Sequence, residues 1–318
     1  MGATVLRQVG SRLLRLVPVL FLITLFTTAM VDLMPGSPAL AMLGDQATPE
    51  QIARLDEQLG LDQPFLVRYR DWLAAALGGD LGTSLRMGLP VTTAIAQRFP
   101  VTLEIALLSV VMALLIAVPL GLFAGARAGG RLDRAATALS SALLSLPGFA
   151  AAVLLIYLLA VKARLFPVGG WVPFTEDPIG NLRFAFLPAL SLALMEAAVY
   201  FRLLRSDVIS TLQEKFVLSA RARGLPPGYV LFRHVLRPSL FSLTTVAGLS
   251  MGRLLGGAVI VESLFALPGL GFLVIQSVPF QDIPTIQGIV VVVAVIYVLI
   301  NIVVDVSYSI IDPRIRTR

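Results

Sequence analysis

The stretch Glu214–Pro238, EKFVLSARARGLPPGYVLFRHVLRP, decides how the rest of the chain is read. It is the longest polar break in the second half of the chain and lies between two strongly apolar segments. Its first part, Glu214 to Arg223, has the pattern of a short helix. Phe216, Ala220 and Arg223 fall on one side of it, and small residues keep the surface low. Gly224 ends that helix, and Leu225-Pro226-Pro227-Gly228 is turn chemistry. A second amphipathic stretch, Tyr229 to Leu236, leads into the next apolar run, with Arg233, His234 and Arg237 at the boundary. A small basic helix-turn-helix at a membrane surface can dock into a groove of a soluble partner. A solvated loop touching anionic lipid is the other reading of the same residues.

Those flanking apolar segments set the class. Of 318 residues, 57% are hydrophobic and only 14% are charged, where a soluble domain carries about a quarter. The mean hydropathy is +0.87. The sequence therefore predicts an all-α integral membrane protein. With no cysteine, disulfides, thiol redox chemistry and cysteine metal sites are excluded. A net charge of +6 invites a nucleic-acid reading, but in a membrane chain it reflects basic residues held on the cytoplasmic side, and no nucleic-acid partner is expected.

In chain order, residues 1–34 form a basic start (Arg7, Arg12, Arg15) and a first apolar run, Leu16 to Met34. That run is long enough to span and no small-x-small cleavage site follows, so it is read as a retained helix rather than a signal peptide. Residues 35–98 are the one sizeable polar region, read as a helical extracytoplasmic loop. Thr48-Pro49-Glu50-Gln51 predicts a capping box and a helix ending at Gly60. Asp62 is expected to cap a second helix with Phe65, Tyr69, Trp72, Leu73 and Ala76 on one face. The run Gly78 to Ser84 forces a loop; with no following Lys and no preceding strand it is not a phosphate cradle.

Residues 99–311 hold five more runs: Val101–Ala126, Ala135–Val161, Phe184–Leu204, Leu240–Val261 and Ile286–Ile311. Each is long enough to cross about 30 Å of hydrocarbon. Pro119 and Pro147 are expected as kinks inside such helices. A cytoplasmic loop, 205–238, lies within this core, and 312–318 form a tail. Six spans with both termini inside put 16 basic residues in cytoplasmic segments and 8 outside, five of the latter in the long first loop.

Glu196, Arg253, Glu262 and Asp305 lie in or near spans, where ionisable groups are costly. They either line a polar path or pair between helices, Glu196 with Arg253 and Asp305 beside Asn301. Gly248, Gly252, Gly256 and Gly257 predict close helix packing. His234, the only histidine, is read as an interfacial side chain, and there is no triad or metal cluster in the pattern.

The run Leu218-Ser219-Ala220-Arg221-Ala222-Arg223-Gly224-Leu225, with Leu236-Arg237-Pro238 beyond it, resembles the cytoplasmic EAA loop of ABC importer permeases. Leu218 stands where other importers place a Glu and Ser219 where they place the first Ala. Leu61-Asp62-Gln63-Pro64, Gly79-Asp80-Leu81-Gly82-Thr83-Ser84, Val261 to Gly271 and Asp312 to Arg316 are similar, in order, to segments of the dipeptide/oligopeptide (peptide/nickel) permease family, its DppB/OppB-like branch. The resemblance implies a type I ABC importer subunit in a bacterial inner membrane, not itself an enzyme. Its implied partners are a second homologous permease, two cytosolic ATPases that hold ATP and Mg, and an extracytoplasmic binding protein. Membrane lipid surrounds it, and it carries no cofactor of its own. The cargo implied is a di- or oligopeptide, with nickel, glutathione or haem as alternatives. Ser219 to Leu225 would be the coupling helix, with Ala220 small enough for close approach to an ATPase. An ATP-independent secondary transporter and an assembly scaffold are the readings from other classes; no inverted repeat or half-helix pair supports the former.

Overall fold

The computed structural model describes residues 17–29, 38–44, 47–58 and 60–311, and among the last of these the side chains stop at 304. The described residues are helical and contain no strand, only an isolated bridge between Thr83 and Pro90. The chain forms two compact units, Met1–Thr102 with Pro268–Ile302, and Leu103–Leu267 with Val303–Arg318.

In the first unit, α1 (Val17–Ala29) is apolar throughout except at its threonines. Thr24 donates to the Leu20 carbonyl at 2.7 Å, closing its hydroxyl within the helix, and lies 3.0 Å from the Tyr69 hydroxyl. Short helices α2 (Pro38–Leu43) and α3 (Pro49–Gln58) follow. The capping box forms as the pattern predicts: Thr48 N donates to Gln51 Oε1 at 2.9 Å and Gln51 N to Thr48 Oγ1 at 3.3 Å. In α4 (Phe65–Leu77) the predicted face is the covered one, with Tyr69 buried while Leu66 and Leu77 are exposed. Asp62 does not cap it. The helix starts after Pro64, whose fixed φ of −55° leads the chain in without a side-chain cap.

The Gly78–Pro90 loop bends at Gly79 and Gly82, both at positive φ. It is fastened by Asp282, at the entry to α14 (Ile283–Ile311): its carboxylate accepts from Ser84 Oγ at 2.5 Å, Leu85 N at 3.0 Å and Thr285 Oγ1 at 2.8 Å. Val91, Ala94 and Ile95 of α5 (Val91–Ala126) form a core with Ile289 of α14 and with Leu270 and Leu273 of α13 (Leu270–Ser277). A Cβ at Gly288 would lie 2.5 Å from Val91 Cγ1, so glycine sets that approach. Helix α5 begins ten residues before the apolar run that predicts it; at 36 residues it is about 54 Å long.

In the second unit the third apolar run is not one helix. It divides into α6 (Arg131–Ser145) and α7 (Gly148–Leu155), the latter continued by a π-helical turn, Ile156–Lys162, and the two halves bend by 105°. Pro147 is therefore a break rather than a kink. Its ring favours the extended backbone of Leu146 (φ −86°, ψ 140°), which no helix accommodates. Pro119 stays inside α5 as expected.

Helix α8 (Pro178–Leu212) is the axis, packed on α6, α7 and α11 (Leu236–Gly257). Asp177 caps its start, accepting from Ile179 N and Gly180 N. Its face of Ala193, Ala197, Tyr200, Phe201, Leu204 and Val208 packs against Ala113, Ala117 and Leu122 of α5 and Leu243 of α11. A Cβ at Gly125 would lie 2.7 Å from Val208 Cγ1 and 3.0 Å from the Arg205 carbonyl. The predicted glycine seam holds for half its length. A Cβ at Gly248 would meet Val304 at 2.2 Å and Gly252 is buried, whereas Gly256 and Gly257 are exposed. A turn at Ala258 leads into α12 (Val259–Leu264).

Three helices among the described residues, α5, α8 and α14, are long and apolar enough to cross a membrane, and the bent α6–α7 pair makes a fourth if it is one span.

Candidate functional site

The polar stretch after α8 folds as the sequence predicts in outline. Helix α9 spans Lys215–Ala222, and Gly224 follows at φ +76°, donating to the Arg221 carbonyl at 2.9 Å. No atom lies within 4 Å of a Cβ built at Gly224, so only the backbone requires glycine there. Pro226 and Pro227 turn the chain into α10 (Pro227–Tyr229), a π-helical turn (Val230–Val235) and then α11.

The orientation of α9 differs from the predicted one. Val217 and Ala220 face inward, 0% and 6% exposed, and join the core with Val230 and Val235, while Phe216 is 47% exposed. Two stripes compete at i, i+3/i+4 and i+7. The one through Phe216, Ala220 and Arg223 would bury a guanidinium; the one through Val217, Ala220 and Gly224 buries none. Ala220 is therefore small for the sake of this chain's own packing, not to lower an outward face. What α9 and its turn present outward is Phe216, Leu218, Tyr229 and Phe232, with Ser219, Arg221, Ala222, Arg223 and Arg233 among them. Leu225 is half-buried. His234 lies at the same boundary, its ring 5.6 Å from that of Tyr229 and edge-on to it.

The base of this loop is clamped by Arg202 and Arg205, which the sequence reading counted only as charge, and by acidic and hydroxyl groups that it did not use. Arg205 donates through Nε and Nη2 to the Asp133 carboxylate, which also accepts from Gly129 N at 2.7 Å. Arg202 donates to Ser141 Oγ at 2.8 Å, Ser242 to Asp207, and Ser239 to Thr211 Oγ1 at 3.2 Å. These bonds tie the end of α8 to α6 on one side and α11 on the other, so α9 leaves a braced stem. Helix interiors rarely advertise such partners, because an Asp seven tens of residues away carries no spacing signal.

Between the helices, Glu196 of α8 and Arg253 of α11 do meet. Arg253 Nη2 lies 3.2 Å from Glu196 Oε2 and 3.3 Å from Oε1. Ser250 bridges them, donating to Glu196 Oε2 at 2.7 Å and accepting from Arg253 Nη2 at 2.8 Å. The pair is lopsided, with 12% of the Glu196 side chain exposed against 56% of Arg253. Glu262, in α12, is fully buried and offers no surface to a path. The side chain of Asp305, and the whole of Asp312 to Arg316, lie outside the described residues.

Long apolar helices, an ion pair between α8 and α11 and a braced basic loop define a polytopic helical membrane protein. The chain belongs to the family of binding-protein-dependent transport system inner membrane components, whose model matches residues 117–317; the model of that family's N-terminal region matches residues 5–106. It is thus a multi-pass inner-membrane permease component of an ABC transporter. It is similar over 316 residues, at 36% identity and 99% of both chains, to a putative peptide transport system permease protein of Brucella abortus. It is 33% identical to the dipeptide transport system permease DppB of Alkalihalophilus pseudofirmus, over 96% of this chain and 98% of that one. To the glutathione transport system permease GsiC of Salmonella typhi it is 36% identical, over 98% and 99%.

Proposed function

We propose that this chain is a permease subunit that imports di- or oligopeptides, driven by ATP hydrolysis on cytosolic ATPase subunits and fed by an extracytoplasmic binding protein. A second homologous permease completes the path. Full-length similarity to permeases named for peptides and dipeptides supports the cargo class. Six spans are assigned to α1, α5, the α6–α7 pair, α8, α11 with α12, and α14, with both termini inside. The 16-against-8 distribution of basic residues supports that orientation and puts α9 in the cytosol.

The observation that carries the coupling role is the outward face of α9 and its turn. Four large apolar side chains stand exposed among arginines on a stem whose own small and branched residues are buried. Such an apolar centre with a basic rim suits a cleft on a soluble subunit. Leu218 to Leu225 is thereby the ATPase-coupling segment, with Phe216 added to it from the structure. Glu196 and Arg253 lie in the translocation path; Glu262 supports α12 from within.

The test is ATP-dependent uptake of labelled peptide by the co-purified complex in proteoliposomes, with hydrolysis measured in the same vesicles. Hydrolysis-independent uptake would return the chain to the secondary-transporter class. The similarity to a glutathione permease favours a second cargo. Competition of glutathione with dipeptide for the purified binding protein separates the two.

A further inference from the structure

We propose that Arg253 receives a terminal carboxylate of the transported peptide at mid-membrane, with Glu196 as its resident counter-ion. This rests on the reading of the chain as a peptide-importing permease, and it concerns a ligand contact within that path.

Three observations support it. First, the guanidinium is half spent. All of its hydrogen bonds among the described residues leave from Nη2, to Glu196 and Ser250, so Nε and Nη1 keep unused N–H donors, separated from each other by Cδ. Nη1 can give a charge-assisted hydrogen bond to one oxygen of an arriving carboxylate. Second, exposure is unequal: the cation is 56% open and its carboxylate partner 12%, so an arriving zwitterion meets positive charge first. Third, the holder is rigid. Ser250 and Arg253 are one turn apart on α11, and Glu196 stands on α8 beside the buried Tyr200 and Ala197, so the free Nη1 donor has a defined direction.

Glu196 also sets the strength of the site. Its two contacts with the guanidinium are 3.2 and 3.3 Å, long for charge-assisted bonds, and Ser250 holds its Oε2 independently at 2.7 Å. Two carboxylates on one guanidinium hold each other loosely. A transport path needs such a site, favourable enough to enter and weak enough to leave.

The experiment uses the whole complex in proteoliposomes with labelled Ala-Phe and its C-terminal amide, each at a concentration giving equal occupancy of the binding protein. The unsubstituted complex should import the acid about tenfold faster than the amide, the effect of one lost charge-assisted contact. Arg253→Gln should bring the two rates together by slowing the acid, and Arg253→Lys should restore part of the preference. The double variant Glu196→Gln with Arg253→Gln leaves no unpaired charge and should show the same lost preference if the single variant assembles poorly. An acid-to-amide ratio in Arg253→Gln equal to that of the unsubstituted complex overturns the proposal, as does an unsubstituted complex indifferent to the amide. Reduced assembly with an unchanged ratio assigns Arg253 to contact with a partner subunit instead. Absence of ATP-dependent uptake of Ala-Phe in the unsubstituted complex would sink the peptide reading itself, and this inference with it.

Discussion

At Asp282 a single buried carboxylate gathers the Ser84 hydroxyl, the Leu85 amide and the Thr285 hydroxyl. Hydrogen bonds to a charged group are worth about 1.5–3 kcal/mol each and are not additive when shared. Asp282→Ala leaves three polar groups short of a partner, and a loss of about 3 kcal/mol is expected, read as a lower melting temperature of the purified chain in detergent. Asp282→Asn, which keeps the acceptor oxygen, should lose less. An unchanged melting temperature in both would show that the loop is not fastened there. The ion pair between Glu196 and Arg253 is a different case. Its bonds are long and its cation is half exposed, so a double-mutant cycle should return a coupling of about 0.5–1 kcal/mol rather than the larger value of a buried pair. Additivity of the two single Ala substitutions would mean that the contact contributes nothing to stability.

At the scale of one element, α9 separates two roles that its sequence leaves mixed. Substituting its inner face should injure the permease itself. Ala220→Trp forces an indole among Val217, Val230 and Val235, an overpacking of about 1–3 kcal/mol or more, and permease abundance should fall. Substituting its outer face should not. Phe216→Ser with Leu218→Ser should leave insertion and melting temperature near normal while reducing the ATPase that co-purifies. If instead the Ala220 variant accumulates normally and only uptake is lost, the inward orientation of α9 is wrong. Gly224→Val, at φ +76°, costs about 1 kcal/mol or more through the backbone alone, because the site is open around it.

Topology is a property of the whole molecule and follows from charge. A reporter after Arg318 should be cytosolic and one inserted near Gln46 external. Both on one side would remove the six-span assignment. The break at Pro147 makes the third span the one to examine: a reporter between Lys162 and Trp171 should be external if α6 and α7 together cross, and cytosolic if the pair turns back at its 105° bend.

Composition, charge asymmetry and local punctuation were enough to read the membrane class, the helical content, the capping box at Thr48 and the turn at Gly224, and to offer the pairing of Glu196 with Arg253 as one of two alternatives. Each of these depends on forces that act within a few residues or on the chain as a whole: transfer into hydrocarbon, backbone φ at one glycine, the cost of an unpaired charge. What only the tertiary structure decided depends on neighbours distant in sequence. The Pro147 ring only disfavours a helical Leu146; that the chain breaks there through 105° instead of kinking goes with the packing of both halves, α6 and α7, on α8. Ala220 faces inward because Val230 and Val235 return to cover it after the turn. Ser84 is bound because Asp282, 198 residues later, arrives beside it. A hydrogen bond across such a separation leaves no period in the sequence, since its two ends are brought together by the packing of helices that lie between them.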